Sequence, residues 1–239
     1  MIGCLCIHGF TGGPYELEPL TDYLQQETDW ILEVPTLPGH GYELTLEDQD
    51  HEGWINEAER AFLSLKERVD HVYIIGFSMG GMIAAHLAAK YDVHKLVLLS
   101  PSRKYLSLKQ LTVEASHIVM DKVSGTIEDN FTYQNYKHKK GAIPVRAYLE
   151  FLKCMKVTRP SLKKITCPVL VAQGIQDGVV PFKAAHYLDK EIPVDIEVIY
   201  YLDSKHLICL GDDKDVVSVA VEKFLSTNQE KQNSSSVNY

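Results

Sequence analysis

The chain has 239 residues, 45% of them hydrophobic, and a net charge of −8 from 24 Lys and Arg against 32 Asp and Glu. That length suits one sizeable α/β domain, and no run of about 18 apolar residues offers a membrane span. The acidic balance argues against nucleic acid as a partner, and five cysteines without a C-x-x-C spacing read as reduced core residues of a cytoplasmic protein rather than disulfides or a zinc site.

Met1-Ile2-Gly3-Cys4 has neither a basic segment nor a long apolar one, so no secretory leader is expected. Ile2 to Ile7 is a candidate buried strand, followed by the loop His8-Gly9-Phe10-Thr11-Gly12-Gly13-Pro14. From Pro14 to Gln26, Leu17, Leu20, Tyr23 and Leu24 recur at helical spacing, and Pro14 suits a helix start. Trp30 to Val34 reads as a short strand, ended by a breaker-rich loop through Gly39-His40-Gly41. Trp54 to Leu65 is predicted helical, with Ile55, Ala58, Phe62 and Leu65 on one face. A strand over Val72 to Ile75, a helix after Ser78 and a strand from Leu96 to Leu99 continue the alternation that builds a parallel sheet.

The alternation breaks after Pro101. Arg103 to Lys164 carries 13 Lys and Arg against 5 Asp and Glu, so it is locally +8 in a chain otherwise at −16. Within it, Pro144 to Lys156 places Tyr148, Leu149, Leu152 and Met155 on one helical stripe. Strands are then expected at Val169 to Ala172 and Ile196 to Tyr200, with helices at Phe182 to Leu188 and Val216 to Leu225. The polar stretch Thr227 to Tyr239 is expected to be disordered.

The centre of this pattern is Ile74-Ile75-Gly76-Phe77-Ser78-Met79-Gly80-Gly81, a G-x-S-x-G sequence between a strand and a helix. A serine on such a turn projects its hydroxyl clear of the sheet, and small residues two before and two after it avoid a clash. Such a serine needs a base, and the base needs an orienting acid, both in loops at the C-terminal ends of later strands. Asp177 lies in the loop after Val169 to Ala172, where an Asp-Gly turn is the competing reading, and Asp203 is a second candidate acid. Only His186 and His206 follow Asp177; His186 falls within a predicted helix, whereas His206 follows the last strand. The Met79 N–H would begin the new helix, and the Phe10 N–H would stand across from it, so the two could hold an oxyanion. His8 and His40 read as loop-fixing residues, with no ligand set for a metal and no phosphate-binding glycine motif nearby.

Taken together, His8-Gly9-Phe10-Thr11-Gly12, Gly39-His40-Gly41, Gly76-Phe77-Ser78-Met79-Gly80-Gly81, Gln176-Asp177-Gly178-Val179-Val180-Pro181 and Ser204-Lys205-His206 resemble an α/β-hydrolase. More narrowly, they are similar to small bacterial carboxylesterases and monoacylglycerol lipases. The resemblance spans about residues 1 to 226 and implies the α/β-hydrolase fold, a mostly parallel central sheet flanked by helices. It implies a core of residues 1–101 and 165–226, a small inserted cap at 102–164, and the tail 227–239. It further implies Ser78 as nucleophile, Asp177 as acid, His206 as base, and Phe10 and Met79 as oxyanion donors. The stripe Tyr148, Leu149, Leu152 and Met155 would then line an acyl pocket or pack the cap onto the core. The implied activity is hydrolysis of small to medium carboxylic esters, monoacylglycerols among them, with no cofactor. A thioesterase, an acyltransferase or a non-catalytic ligand-binding protein would share the same residues. Two features depart from the family pattern: the chain begins at the strand carrying the H-G motif, and Lys205 stands where glycine is common.

Overall fold

The computed structural model describes residues 1–104 and 143–227. Six strands form one parallel sheet: β1 (Ile2–Ile7), β2 (Ile31–Glu33), β3 (His71–Phe77), β4 (Lys95–Leu99), β5 (Val169–Gly174) and β6 (Ile196–Tyr201), in the order β2-β1-β3-β4-β5-β6. Every neighbouring pair is parallel, with Ile7 opposite Gly76 and Phe77 opposite Leu99. All six C-terminal ends therefore lie along one edge.

The strand residues alternate between two cores, as the pleat requires. Leu5, Ile7, Ile74, Leu96, Leu98 and Val171 belong to one buried cluster, and Cys4, Cys6, Ile75, Val97, Leu99 and Leu170 to the other. The first is covered by α2 (His51–Lys66), α3 (Met79–Lys90), α4 (Val145–Thr158) and α5 (Ala184–Glu191). The second is covered by α1 (Glu18–Glu27) and α6 (Lys214–Ser226). This is the expected α/β-hydrolase arrangement, a parallel sheet between two helical layers.

Several boundaries differ from the sequence reading for local reasons. The expected helix from Pro14 divides into a short 3-10 turn, Pro14–Glu16, and α1. Helix α2 starts at His51 rather than Trp54, because Asp50 caps it and accepts a 2.8 Å hydrogen bond from the Gly53 N–H. Lys95, buried in β4, donates from Nζ to the carbonyls of Phe224 and Leu225, so a cation closes the C-terminal end of α6. Burial alone lowers its pKa. Of the expected cap, residues 105–142 lie outside the described residues, as do residues 228–239 of the expected tail. The described part, α4, puts Ala147, Phe151, Cys154 and Met155 into the same cluster as the sheet.

The N-terminus of α3 presses onto the end of β1. A Cβ at Gly80 would lie 2.2 Å from the Ile7 carbonyl oxygen and 2.4 Å from that of His8, both backbone atoms that cannot swing away. Gly80→Ala is therefore expected to cost about 3 kcal/mol or more, a fall in melting temperature on the order of 10 °C. A thermal melt within about 2 °C of wild type would show that the two segments separate easily.

Candidate active site

Strand β3 delivers Ser78 to the carboxyl edge in a backbone conformation that side-chain-bearing residues rarely adopt, with φ 54° and ψ −115°. Backbone bonds hold it there. The Ser78 N–H donates to the Leu99 carbonyl over 2.9 Å, and its own carbonyl accepts from Gly81 and Ser102, each at 3.1 Å. At Gly76 a Cβ would come within 2.4 Å of the Gly80 carbonyl oxygen, so the turn closes only over glycine.

His206 and Asp177, separated in sequence, meet at this serine. Ser78 Oγ lies 3.0 Å from His206 Nε2, and His206 Nδ1 lies 2.8 Å from Asp177 Oδ2. The Asp177 side chain is wholly buried and its oxygens are filled by donors. Oδ1 accepts the N–H groups of Val179 and Val180 at 2.8 and 2.7 Å, and Oδ2 also accepts Gln173 Nε2 at 3.0 Å. Because Nδ1 faces a carboxylate, the ring carries its proton there and offers Nε2 as an acceptor. A serine hydroxyl in this arrangement can pass its proton to the imidazole as it attacks an electrophilic carbon.

The other expected residues are distributed as follows. Asp203 is exposed and accepts a 3.2 Å bond from Gln176 Nε2. His186 is exposed on α5. His8 is buried: its Nε2 accepts from the Leu37 N–H at 3.0 Å, so Nδ1 carries the proton given to the Gly9 carbonyl at 2.9 Å. His40 Nδ1 lies 3.0 Å from the Pro38 carbonyl oxygen and its ring is 5.3 Å from that of His8, so the two imidazoles pin adjacent loops. Phe10 follows β1 and Met79 opens α3 after β3, and because β1 and β3 are neighbouring parallel strands both residues lie at the Ser78 end. Lys205, the departure from the family pattern, is exposed while the loop is held by Ser204, whose carbonyl accepts from Gln176 and whose hydroxyl donates to Asp213.

Residues 39–213 match the family of serine aminopeptidases, S33, well over half of the chain. The chain belongs to that family. It is an α/β-hydrolase of the esterase and lipase type. A thermostable monoacylglycerol lipase from Bacillus sp. strain H-257 is 25% identical over 222 residues, covering 90% of this chain and 87% of that one. A carboxylesterase from Bacillus subtilis strain 168 is 24% identical over 241 residues, covering 92% and 91%. Among solved structures, a metagenome-derived lipolytic enzyme superposes with a TM-score of 0.76 at 20% identity, covering 94% and 93% of the two chains, a likeness of fold.

Three polar residues of this hydrolase's site were not singled out by sequence. Gln173 steadies Asp177 as described above. Glu16, almost wholly buried, accepts the Gly9 N–H at 2.9 Å and so fixes the loop that carries Phe10. Ser102 Oγ lies 2.9 Å from Ser78 Oγ. Glu16 stands seven residues after Gly9 and Gln173 four before Asp177, both local spacings, whereas Ser102 is brought to Ser78 across 24 residues by a tertiary contact.

The expected pocket stripe is rotated in the structure. Phe151 faces inward and stacks on Phe10 with ring centroids 5.0 Å apart, whereas Leu149 is 51% exposed. Tyr148 and Leu152 pack partly buried against the core, and Met155 is buried. Apolar residues cover a wide arc of α4, and the stripe chosen from sequence passed over Phe151. The rotation also buries Glu150, which a hydrophobic pattern assigns to solvent. Its carboxylate receives Lys153 Nζ and His51 Nδ1, each at 2.6 Å, and ties α4 to the start of α2. The Lys153 bond first, then those of His51, depress its pKa to about 2 against the cost of burial. A depressed carboxylate stabilises the fold above its unfolded pKa of about 4.3, and loses that contribution as pH falls toward the folded value. Glu150→Gln should therefore cost roughly 2 kcal/mol at pH 7, several degrees in melting temperature, with the gap closing between about pH 4 and pH 2. A gap unchanged down to pH 2.5 would refute that linkage.

Proposed function

We propose that Ser78, His206 and Asp177 are the nucleophile, base and orienting acid of a serine carboxylester hydrolase. Ser78 attacks the ester carbonyl, His206 takes its proton and gives it to the departing alcohol, and water then releases the acyl group by the reverse sequence. The observation that carries this reading is the unbroken chain from Ser78 Oγ through both ring nitrogens of His206 to the buried Asp177. The Met79 and Phe10 N–H groups are proposed to hold the oxyanion, Met79 with the helix N-terminus behind it. The names of the relatives support carboxylic esters, monoacylglycerols included, as substrates, and small to medium acyl chains are part of the proposal. Thioesters share the same mechanism and are the second reading to assay. No cofactor is required by this chemistry. The five cysteines are buried and free, which supports a reducing, cytoplasmic setting.

A fluorophosphonate probe followed by peptide mapping should label Ser78 in the wild type and nothing in Ser78→Ala. Both Ser78→Ala and His206→Ala should lose on the order of 10³-fold or more in ester hydrolysis while remaining folded. Asp177→Asn should lose several orders of magnitude, as in the general serine triad, and Asp203→Asn little. The opposite ranking of the two aspartates, or more than a tenth of wild-type activity in folded Ser78→Ala, would reject the assignment.

The acyl chain is proposed to lie along the stacked Phe10 and Phe151 rings, with Tyr148, Leu152 and Met155 behind them and Leu149 at the periphery. Each buried methylene contributes roughly 0.8 kcal/mol there. In a series of nitrophenyl esters, Phe151→Ala should alter the preference among chain lengths by about tenfold while sparing the acetyl ester. Leu149→Ala should leave the series nearly unchanged. Equal loss at all lengths in Phe151→Ala would mean that the ring only packs.

A further inference from the structure

Among the described residues, Ser102 is the one besides His206 whose side chain hydrogen-bonds to the Ser78 hydroxyl. Its hydroxyl is 2.9 Å from Ser78 Oγ, and its backbone N–H donates to the Ser78 carbonyl over 3.1 Å. The side chain is buried, with 2% of the residue exposed. Its position is fixed from several directions. Ser100, two residues earlier, turns the chain back with φ 43°, and its N–H is held by the Ala172 carbonyl at 2.8 Å. Arg103, the next residue, has a buried guanidinium paired with Glu191 through two nitrogens, one bond being 2.6 Å, and lies over the Tyr187 ring at 5.8 Å. Arg159 reaches the same carboxylate at 3.3 Å. The hydroxyl is therefore built into place.

The directions of the hydrogen bonds follow from the tautomer of His206. With Nδ1–H given to Asp177, Nε2 is an acceptor and the Ser78 proton points to it. The Ser78 oxygen then has only lone pairs left for Ser102, so Ser102 is the donor. A chain of O–H groups runs from Ser102 through Ser78 to the imidazole, each polarising the next.

Resting on the triad reading above, we propose that Ser102 is a further catalytic residue, whose hydroxyl stabilises the Ser78 oxygen as a leaving group during hydrolysis of the acyl-enzyme. In that step the water oxygen bonds to the acyl carbon while a water proton passes to His206. The bond from the acyl carbon to Ser78 Oγ then breaks, its electron pair goes to Oγ, and His206 returns the proton to that oxygen. Ser102 keeps its own proton throughout and supplies only a hydrogen bond, which strengthens as charge gathers on Oγ. In acylation the same bond has opposing effects: it eases loss of the Ser78 proton and weakens the oxygen as a nucleophile. The net effect of Ser102 therefore falls on deacylation.

Pre-steady-state and steady-state hydrolysis of p-nitrophenyl acetate separate the two steps. In Ser102→Ala, kcat should fall about tenfold or more and KM should fall with it. The burst rate and kcat/KM, which report acylation, should stay within about threefold of wild type. Ser102→Cys keeps nearly the same volume with a weak donor, so it should show the same split even if the alanine variant does not fold. Parallel loss of burst rate and kcat, or an unchanged kcat with only a lower melting temperature, would overturn the role. Labelling by a fluorophosphonate separates the triad from the role of Ser102. A wild type not labelled at Ser78 sinks the triad reading and this inference with it. A wild type labelled at Ser78, beside Ser102 variants that turn over normally, sinks the role of Ser102 alone.

Discussion

The contact on which the rest of the site depends is steric: the first turn of α3 lies against the ends of β1 and β3 with no side chain between them. Gly76 and Gly80 allow that approach, and any Cβ at either position would fall within 2.4 Å of a backbone oxygen. Because the helix starts so close to the sheet, the residue between strand and helix must turn through a positive φ, and Ser78 does so. Its hydroxyl is thereby lifted off the sheet while its backbone stays bonded to β4. The position that could act as nucleophile is thus a consequence of packing, and the chemistry of the serine is added to it.

Around that turn, buried polar groups fix the loops at the carboxyl edge alongside apolar contacts such as Phe10 on Phe151. Glu16 holds the Gly9 N–H, Gln173 holds Asp177, and Glu191 holds Arg103. Ser204 links the loop of His206 to that of Asp177 through the Gln176 N–H. A buried polar group left without its partner costs more than the bond itself contributes, which makes each arrangement selective for one geometry. Hydrophobic burial on the two faces of the sheet supplies most of the driving force for folding. The polar contacts at the edge decide where the Ser78, His206 and Asp177 side chains stand.

How much of this was legible in the sequence follows the same division. The parallel sheet was readable because Val, Ile and Leu runs alternate with helical periods, and the elbow because its glycines announce a local steric need. Asp177 and His206 were candidates because the loops after parallel strands share an edge, but the choice of Asp177 over Asp203 rested on the family resemblance. In the structure Asp177 Oδ2 lies 2.8 Å from His206 Nδ1. The start of α2 was placed three residues late because the hydrophobic period begins at Trp54, whereas the helix begins where Asp50 can cap it. The inward face of α4 was read in part: Tyr148, Leu152 and Met155 turn to the core but Leu149 does not, because periodicity ranks residues by apolarity alone. It could not see that Glu150 would be carried inside by Lys153 and His51. Ser102 was invisible for a related reason: its partner is 24 residues away in sequence, and nothing in Ser100-Pro101-Ser102-Arg103 announces a meeting with Ser78.

Among the described residues, the non-glycine positions with positive φ are Thr11, Ser78 and Ser100, with φ of 59°, 54° and 43°. They follow β1, β3 and β4, three strands adjacent in the sheet, so the unfavourable backbone is gathered at one edge beside the Ser78 hydroxyl. Each such residue costs roughly 1 to 3 kcal/mol unless its surroundings hold it. At Ser78 and Ser100 the holding bonds come from the next strand over: Ser78 N–H from β3 to Leu99 in β4, Ser100 N–H from the end of β4 to Ala172 in β5. The ladder that builds the sheet is continued for one more residue past each strand end, and those last rungs stabilise the strained turns. A relaxed turn at either place would break that rung and swing a hydroxyl away from Ser78 Oγ or from His206. The strain is accordingly tied to the register of the sheet, and the site holds its shape for as long as that register does.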